Sequence, residues 1–493
     1  MFSEDINEQQ QIRRQKAKEL KEKGIDPFGS KFIRTNTTNQ IINDYNEQTK
    51  EQLESLNIDV TVAGRIVLRR QQGKAGFLQL QDRDNKLQVY VRQDNVGDDA
   101  FDLFKKSDLG DIVGISGILF RTQTNELTIK ATNFTHLTKA LRPLPDKWHG
   151  LQDKEEARRR RYVDLIVNDH ARYVALTRPK IIRSIQNFFD SRGFVEVETP
   201  VLHPILGGAS ARPFVTHHNT LEMDFYLRIA TELPLKRLLV GGLEAVYEIG
   251  RLFRNEGISS KHNPEFTTIE AYLAYADVYD MMDLVEDCLS YVAYQVHGSY
   301  DLKYGDHIIH LKNFKRIHMV DAINEVIGVN FFDVHSLDDA KVLAKKHNVT
   351  IEKHFTLGHI IEAFFNDFVE DTIIQPTIIF GHPIEISPLA KKNEKDPRFT
   401  DRFELFIAGS EYANAFSELN DPIDQKERFL EQLRQKDLGN DEANEMDTDF
   451  IEALEYGMPP AGGIGIGIDR LIMLITNTPN IRDVLLFPHA RKK

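Results

Sequence analysis

A single cysteine, Cys288, in 493 residues excludes a disulfide framework and a zinc site built from several thiolates. Long apolar runs are missing too: none approaches the roughly 20 residues that a membrane-spanning helix needs. The opening MFSEDINEQQ carries early acids and no apolar centre, unlike a secretory signal. Positive charge is in deficit, with 62 Lys and Arg against 75 Asp and Glu and a formal net charge of -13. That balance argues against non-specific coating of nucleic acid, although local basic patches can still grip phosphates. These absences predict a reduced, soluble, cytoplasmic protein with no membrane association.

What is present suits a large folded chain. Hydrophobic residues make up 41% and charged residues 28%, so a sizeable core under a soluble surface is expected. The length implies two or three domains. Residues 4–23 read as a helix rich in Glu, Gln, Lys and Arg that stops at Gly24, with Pro27 just beyond. Arg13, Arg14, Lys16, Lys18, Lys21 and Lys23 make its second half basic, which fits either a solvated face or a phosphate-contacting arm. This helix and its lead-in occupy 1–57.

From 58 the texture becomes β-rich. DVTVAGRIVLRR, GFLQLQ, KLQVYVRQ, DIVGISGILFRT and ELTIKATNFTHL read as five short strands, with DRDN and TQTN as hairpin turns. Five strands in some 80 residues suit a small barrel over 58–145, for which the OB-fold is the commonest five-stranded candidate. Arg69, Arg70, Lys74, Phe77, Tyr90 and Arg92 offer cations and aromatic faces for bases, though barrel aromatics also serve as core. Two prolines and a glycine in LRPLPDKWHG mark a linker, placed at 146–160 and leading into the run Arg158–Arg161. From 161 to 493 helical and strand-like segments mix without βαβ alternation. The expectation is α+β, an antiparallel sheet flanked by helices, with a mostly helical insertion at about 277–375.

Four segments of this second region carry charge and glycine in suggestive places. RSIQNFFDSRGFVEVETPVL (183–202) reads as an amphipathic helix, a stop at Gly193, and a strand ending at Pro200. FRNEGISSKHNPEFTTIEAY (253–272) reads as strand, loop and strand with charges at the strand ends. DRFELFIAGSEYANAFSELND (401–421) is a strand studded with acids, and AGGIGIGIDRLIMLIT (461–476) a glycine-spaced strand entering a helix. GIGIGIDR lacks the GxxG spacing of a dinucleotide fingerprint, and GxxxxGK[ST] is absent, so any nucleotide site uses another scaffold.

Helix–strand–Pro, FRNEG…HNPEF and GIGIGIDR, in this order, resemble motifs 1, 2 and 3 of the class II aminoacyl-tRNA synthetases. The OB-like region resembles subgroup IIb, which handles Asp, Asn or Lys. GGASARPF (207–214), HNPEFTTIEAY and FSELND are similar to the lysyl-tRNA synthetase pattern, and the likeness covers nearly the whole chain. It implies an enzyme that activates lysine on ATP with Mg²⁺, passes it to tRNA(Lys), and works as a homodimer. Carboxylate attack on a phosphate brings anions together, which calls for fixed cations, and arginine grips phosphate bidentately. By resemblance, Arg254 contacts the α-phosphate and the substrate carboxylate, and Arg470 the γ-phosphate. Phe266 stacks on adenine, with Glu256, His262 and Asn263 lining the same hairpin. Glu404 and Glu411 match the magnesium ligands, Glu404 also belonging to the ATP site. Their spacing of seven requires a turn or bulge near Ala408–Gly409 to bring them together.

The amino-acid pocket implied by the resemblance is acidic. Glu270, Tyr272 and Glu418 fall at the side-chain end, with Phe416 beside them, Gly208 and Glu232 at the α-amino group, and Asn414 and Arg254 at the carboxylate. Three carboxylates and no lysine among these positions favour a cationic substrate. Arg70, Phe77, Gln88 and Glu126 fall where the family contacts the anticodon. Two other readings stand beside this one. A paralogue that lysylates a protein is disfavoured by the barrel, which such relatives lack. A catalytically inactive synthetase-like nucleic-acid-binding regulator is disfavoured by the presence of Arg254, Glu404, Glu411 and Arg470 together.

Overall fold

The computed structural model describes residues 7–145, 151, 153–209, 211–439 and 445–490. Residues 4–6 of the first expected helix, 146–150 and 152 of the linker region, and Ser210 of GGASARPF therefore lie outside the described residues. The chain forms two compact units, 1–151 and 152–493.

In the first unit the helix Glu8–Glu22 begins on Asn7, whose side chain accepts from the Gln10 amide. Part of its basic side is committed to the fold beneath it. Arg13 is buried and donates to the Leu109 and Ala140 carbonyls at 3.0 and 2.9 Å. Lys16 and Lys23 pair with Asp108 and Asp102, each at 2.7 Å. Strands β1 (Asp59–Gln72), β2 (Ala75–Gln81), β3 (Lys86–Arg92), β4 (Ile112–Arg121) and β5 (Leu127–Thr138) close into a barrel in the order β1-β2-β3-β5-β4. Alternation puts Val60, Val62, Leu78, Leu80, Val89 and Val91 inside. The DRDN turn is fixed by Asp82, whose carboxylate accepts from the Asp84 and Asn85 amides at 2.9 and 3.1 Å. In the turn between β4 and β5, Asn125 takes φ +64°, a left-handed conformation that asparagine tolerates. The helix Asp98–Lys106 adds Phe101 and Phe104 to the barrel core.

The second unit is built on one eight-stranded sheet. A long helix, Asp169–Ser191, precedes β6 (Val195–Glu196). A small three-stranded sheet follows from β7 (Leu202–His203), β8 (Val215–His218) and β9 (Met223–Leu227). Next comes the hairpin β10 (Ala245–Phe253) and β11 (Glu265–Ala274). β12 (Asp301–Tyr304) pairs with β13 (His307–His310), and the chain re-enters the main sheet with β14 (Lys315–His318), β15 (Thr377–Phe380), β16 (Arg402–Ile407), β17 (Ser410–Ser417) and β18 (Ala461–Gly467). The sheet order is β14-β15-β16-β17-β18-β11-β10-β6, largely antiparallel, with parallel pairs at its two ends.

Apolar faces of Asp169–Ser191 and Val278–His297 pack on this sheet and enclose the main core. Phe188 and Phe189 both belong to that core, whereas Val195 is 52% exposed. The stretch 277–375 is woven into the architecture: Val278–His297 supplies Met281, Val285 and Leu289 to the main core, and β14 is an edge strand of the sheet. Helices Met319–Ile327, Leu337–His347 and Leu357–Phe368 then bury a second core against Ile317, Ile379 and Phe406 of β14, β15 and β16.

Candidate active site

The ends of β10, β11, β16, β17 and β18 surround a cavity of about 650 Å³. β10 and β11 pair residue for residue, Leu252 opposite Phe266 and Phe253 opposite Glu265. The Arg254 amide closes the loop base on the Pro264 carbonyl at 2.8 Å. In the loop, Ser259 Oγ and His262 Nδ1 lie 2.9 Å apart. The Arg254 guanidinium stands over the Phe266 ring, 5.3 Å from its centroid. Its Nε is buried without a hydrogen-bond acceptor among the described residues. Asn263 donates from Nδ2 to the Glu265 carbonyl at 2.6 Å, and its buried Oδ1 has no donor among the described residues. An aromatic face, a cation, one unmatched donor and one unmatched acceptor at one cavity wall are chemically suited to a purine nucleotide.

The glycine-spaced strand β18 passes into the helix Ile468–Ile475 at this same wall. Asp469 ties three segments together: it accepts from the Thr267 amide at 2.7 Å and from Arg178 at 2.5 Å. Next to it, Arg470 Nη1 donates to the Glu411 carbonyl and carboxylate, at 2.5 and 3.2 Å. Arg470 Nη2 meets His262 Nε2 at 3.3 Å. An arginine only donates, so His262 Nε2 is the bare nitrogen and Nδ1 carries the proton. Burial and the neighbouring Arg470 hold this imidazole below its ordinary pKa, in keeping with a neutral ring.

Glu404 and Glu411 sit on β16 and β17, joined by a tight turn in which Ala408 and Gly409 take φ +49° and +65°. The register also slips between Leu405 and Phe406, where two β17 residues face one on β16. Turn and bulge together leave Glu404, Glu411 and Asn414 lining one cavity. Arg402 organises this wall, donating to Glu404 at 2.5 Å, to Asn414 Oδ1 at 3.0 Å and to the Ile386 carbonyl at 2.8 Å. Among the described residues no group of three or more His, Cys, Asp or Glu could hold a metal by itself. Two carboxylates beside an arginine-bearing wall nevertheless fit Mg²⁺, which takes one or two protein carboxylates and completes its shell with phosphates and water.

The opposite end of the cavity is acidic. Glu232 opens the helix Glu232–Val240, and Glu270 and Tyr272 lie on β11. Phe416 lies near the end of β17, with Glu418 just beyond it. Glu270 accepts from the Thr231 amide at 3.0 Å and from the Tyr272 hydroxyl at 3.1 Å. Behind Glu232 and Glu418 stands Lys236, wholly enclosed, in contact with Glu232 Oε1 at 2.5 Å and with Glu418 Oε2. Burial pushes the carboxyl groups of Glu232, Glu270 and Glu418 above the usual range, with Lys236 opposing the shift at Glu232 and Glu418. Burial works against the Lys236 ammonium too, but the charges of Glu232 and Glu418 outweigh it and raise its pKa. Gly463 makes room for this group: a Cβ there would fall 1.9 Å from Glu418 Oε1 and 2.5 Å from the Tyr272 ring. Gly208 lines the cavity near Glu232 with φ +91°.

Every residue proposed from the sequence for the nucleotide, amino acid and metal lines this one cavity. Sequence reasoning missed Arg402, Lys236 and the contribution of 354–362. Arg402 was legible as the residue two before Glu404, which alternation puts on the same strand face. Lys236 is the i+4 neighbour of Glu232 on one helix, but that spacing alone reads as a solvated pair and does not mark it as buried. His354, Phe355, His359 and Glu362 also reach the cavity wall, a placement set by tertiary packing that no local pattern announces. Burial pushes the Glu362 carboxyl up to about 7 and lowers His359 to about 4.

In the barrel unit, Arg70, Phe77 and Tyr90 form a cross-strand row, Arg70 opposite Phe77 and Phe77 opposite Tyr90. Their parity is opposite to that of Leu78 and Val89, so Phe77 belongs to the outer face and not to the barrel core. Its ring lies 4.9 Å from Tyr90, and Phe120 continues the row at 6.2 Å. Gln88 donates to Thr128 Oγ1 at 3.0 Å, and Glu126 is exposed just before β5.

Residues 153–491 match the family model of class II tRNA synthetases (D, K and N), and 60–137 that of the OB-fold nucleic acid binding domain. The chain belongs to the class II tRNA synthetases. Curated relatives along its full length carry the name lysine–tRNA ligase. One from onion yellows phytoplasma is 61% identical over 99% of this chain and 96% of its own length. Another from Bacillus subtilis is 58% identical over 99% and 98%, and one from Bacillus cereus is 59% identical over 100% and 99%.

Proposed function

We propose that this chain activates L-lysine on ATP and transfers the lysyl group to tRNA(Lys). The observation that carries the reading is the polarity of this cavity, with arginines and paired carboxylates at one end and a buried acid cluster at the other. An ammonium-bearing side chain matches the acid cluster, and a triphosphate matches the arginines. Full-length relatives at about 60% identity support the same substrate.

In this reading Phe266 carries the adenine, and Glu256, His262 and Asn263 border it. Arg254 holds the α-phosphate and the lysine carboxylate, Asn414 steadies that carboxylate, and Arg470 takes the γ-phosphate. Glu404 and Glu411 hold Mg²⁺, which supplies charge neutralisation along the phosphates when bound. Glu232 and Gly208 receive the α-ammonium, and Glu270, Tyr272, Phe416 and Glu418 surround the side-chain end. The lysine carboxylate attacks the α-phosphorus, pyrophosphate leaves, and lysyl-adenylate forms. A ribose hydroxyl of the tRNA terminus then attacks the activated carbonyl and AMP leaves. These side chains contribute orientation and fixed charge, with no protein nucleophile. Arg70, Phe77, Gln88 and Glu126 read the anticodon on the barrel. The active form is a cytoplasmic homodimer. Among the described residues no helix is long and apolar enough to cross a membrane.

ATP–pyrophosphate exchange with each amino acid in turn tests the proposal. Exchange that depends on lysine, with lysyl transfer to tRNA(Lys), is the expected outcome. Exchange without transfer to tRNA would favour a protein-modifying paralogue, and no exchange at all an inactive regulator.

A further inference from the structure

Lys236 is the largest charged side chain enclosed at the acid end of the cavity, with no measurable exposure. It stands behind the cavity wall, and its ammonium bridges Glu232 on its own helix and Glu418 beyond β17. The other groups facing this cluster are Glu270 and Tyr272 from β11, the Phe416 ring 5.3 Å from Nζ, and Arg402 from β16. Two carboxylates packed together in a dry site repel, and without a cation they part or take up protons. Here the cation comes from the protein and uses Glu232 Oε1 and Glu418 Oε2. Neither oxygen of Glu418 has a hydrogen-bond donor among the described residues: Oε2 meets Lys236 as an ion pair, and Oε1 packs towards Gly463 with no polar partner.

We infer that Lys236 is a positioning residue for amino-acid selection, an internal ammonium that holds Glu232 and Glu418 side by side so that their remaining oxygens present to the two ammonium groups of the substrate. The inference rests on the lysine reading above. It adds that the two ends of the substrate site are set by one buried side chain that touches neither end of the substrate. Glu232, Glu270 and Glu418 with Lys236 carry a formal charge of -2, which two substrate ammoniums would balance.

The test compares wild type, Lys236→Met, Glu418→Gln and the double variant in lysine-dependent pyrophosphate exchange across pH. Lysine KM should rise at least roughly tenfold in Lys236→Met, the scale of a hydrogen bond between charged groups, while ATP KM stays within about twofold. The acid limb of kcat/KM for lysine should move to higher pH, because the carboxylates lose the charge that lowers their pKa. The double variant, which removes one of the acids left unpaired, should cost no more in lysine KM than Glu418→Gln alone. An unmoved acid limb in Lys236→Met would overturn the inference. So would multiplied costs in the double variant, which also decides the matter should Lys236→Met fail to fold. Wild type without lysine-dependent exchange would instead defeat the lysine reading itself.

Discussion

Arg470 and His262 meet at 3.3 Å although 208 residues separate them along the chain. The contact joins the glycine-spaced strand and its helix to the loop of the β10–β11 hairpin, so one guanidinium spans His262 and Glu411. Replacing it with alanine should leave the fold intact and lower exchange by about 10²–10³, as for other single electrostatic groups aimed at developing charge. ATP KM and kcat should carry the loss while lysine KM changes little. Full activity in the variant would remove Arg470 from the triphosphate site.

At the acid end, Glu418→Gln keeps size and removes one charge. Lysine KM should rise at least roughly tenfold, since hydrogen bonds to charged groups contribute about 1.5–3 kcal/mol. ATP KM should stay near its original value. An unchanged lysine KM would reopen the choice of amino acid, and equal rises for both substrates would indicate a distorted β17.

On the barrel, Phe77→Ala should weaken tRNA lysylation by roughly tenfold to a hundredfold, the scale of about 1–3 kcal/mol for one base stacked on an aromatic ring. Lysine-dependent exchange should be nearly unaffected. The outward position of Phe77 also predicts a soluble, folded variant. Comparable damage to exchange would mean that the ring supports structure.

Glu362 gives a pH signature in stability. Its carboxyl rises from an ordinary 4.5 to about 7 through burial, with Arg402 opposing and Glu404 adding to the shift. A raised folded-state pKa contributes stability that is fully present below the unfolded value and is lost as pH climbs through about 7, at most about 3 kcal/mol. Glu362→Gln stays neutral and lacks this loss. Thermal midpoints should therefore shift in favour of the variant by about a few degrees between pH 5 and pH 8.5. Parallel midpoint curves for the two proteins would show that Glu362 does not titrate in this window.

A homodimer formed through the helix and strand of 183–202 is predicted to use residues other than Phe188 and Phe189, which are spent on the chain's own core. Val195, Val201 and Leu202 are 52%, 40% and 42% exposed and form the remaining apolar surface of that stretch. Sedimentation at micromolar concentration should show a dimer, weakened by Val195→Asp. A folded wild-type monomer would refute it.

The sequence was most legible where local choices are unusual, and the residues singled out there line one cavity. Arg254, Phe266 and Arg470 stand in segments whose charge and glycine content no core would need, and β-rich runs between turn residues named the five barrel strands. The turn between Glu404 and Glu411 followed from parity, although the bulge after Leu405 did not, because register is set between strands. Lys236 was hidden for a different reason: a lysine on a mixed helix ordinarily points to water. Its partner Glu418 lies 182 positions later, and Phe416 of the same segment also packs on its ammonium. The reach of Glu362 into the cavity was equally silent, since it depends on where a whole helical section docks.

Cys288 lies in the main core with no exposure, and burial pushes its thiol up to about 12. At neutral pH it is therefore neither accessible nor ionised, and thiol reagents should pass it by while the fold holds. The chain is in effect a cysteine-free background that needs no further mutation. A cysteine introduced on the hairpin loop or on the outer barrel face would be the sole reactive thiol, so a dye placed there reports one position. Slow modification of Cys288 itself would then clock the opening of the core.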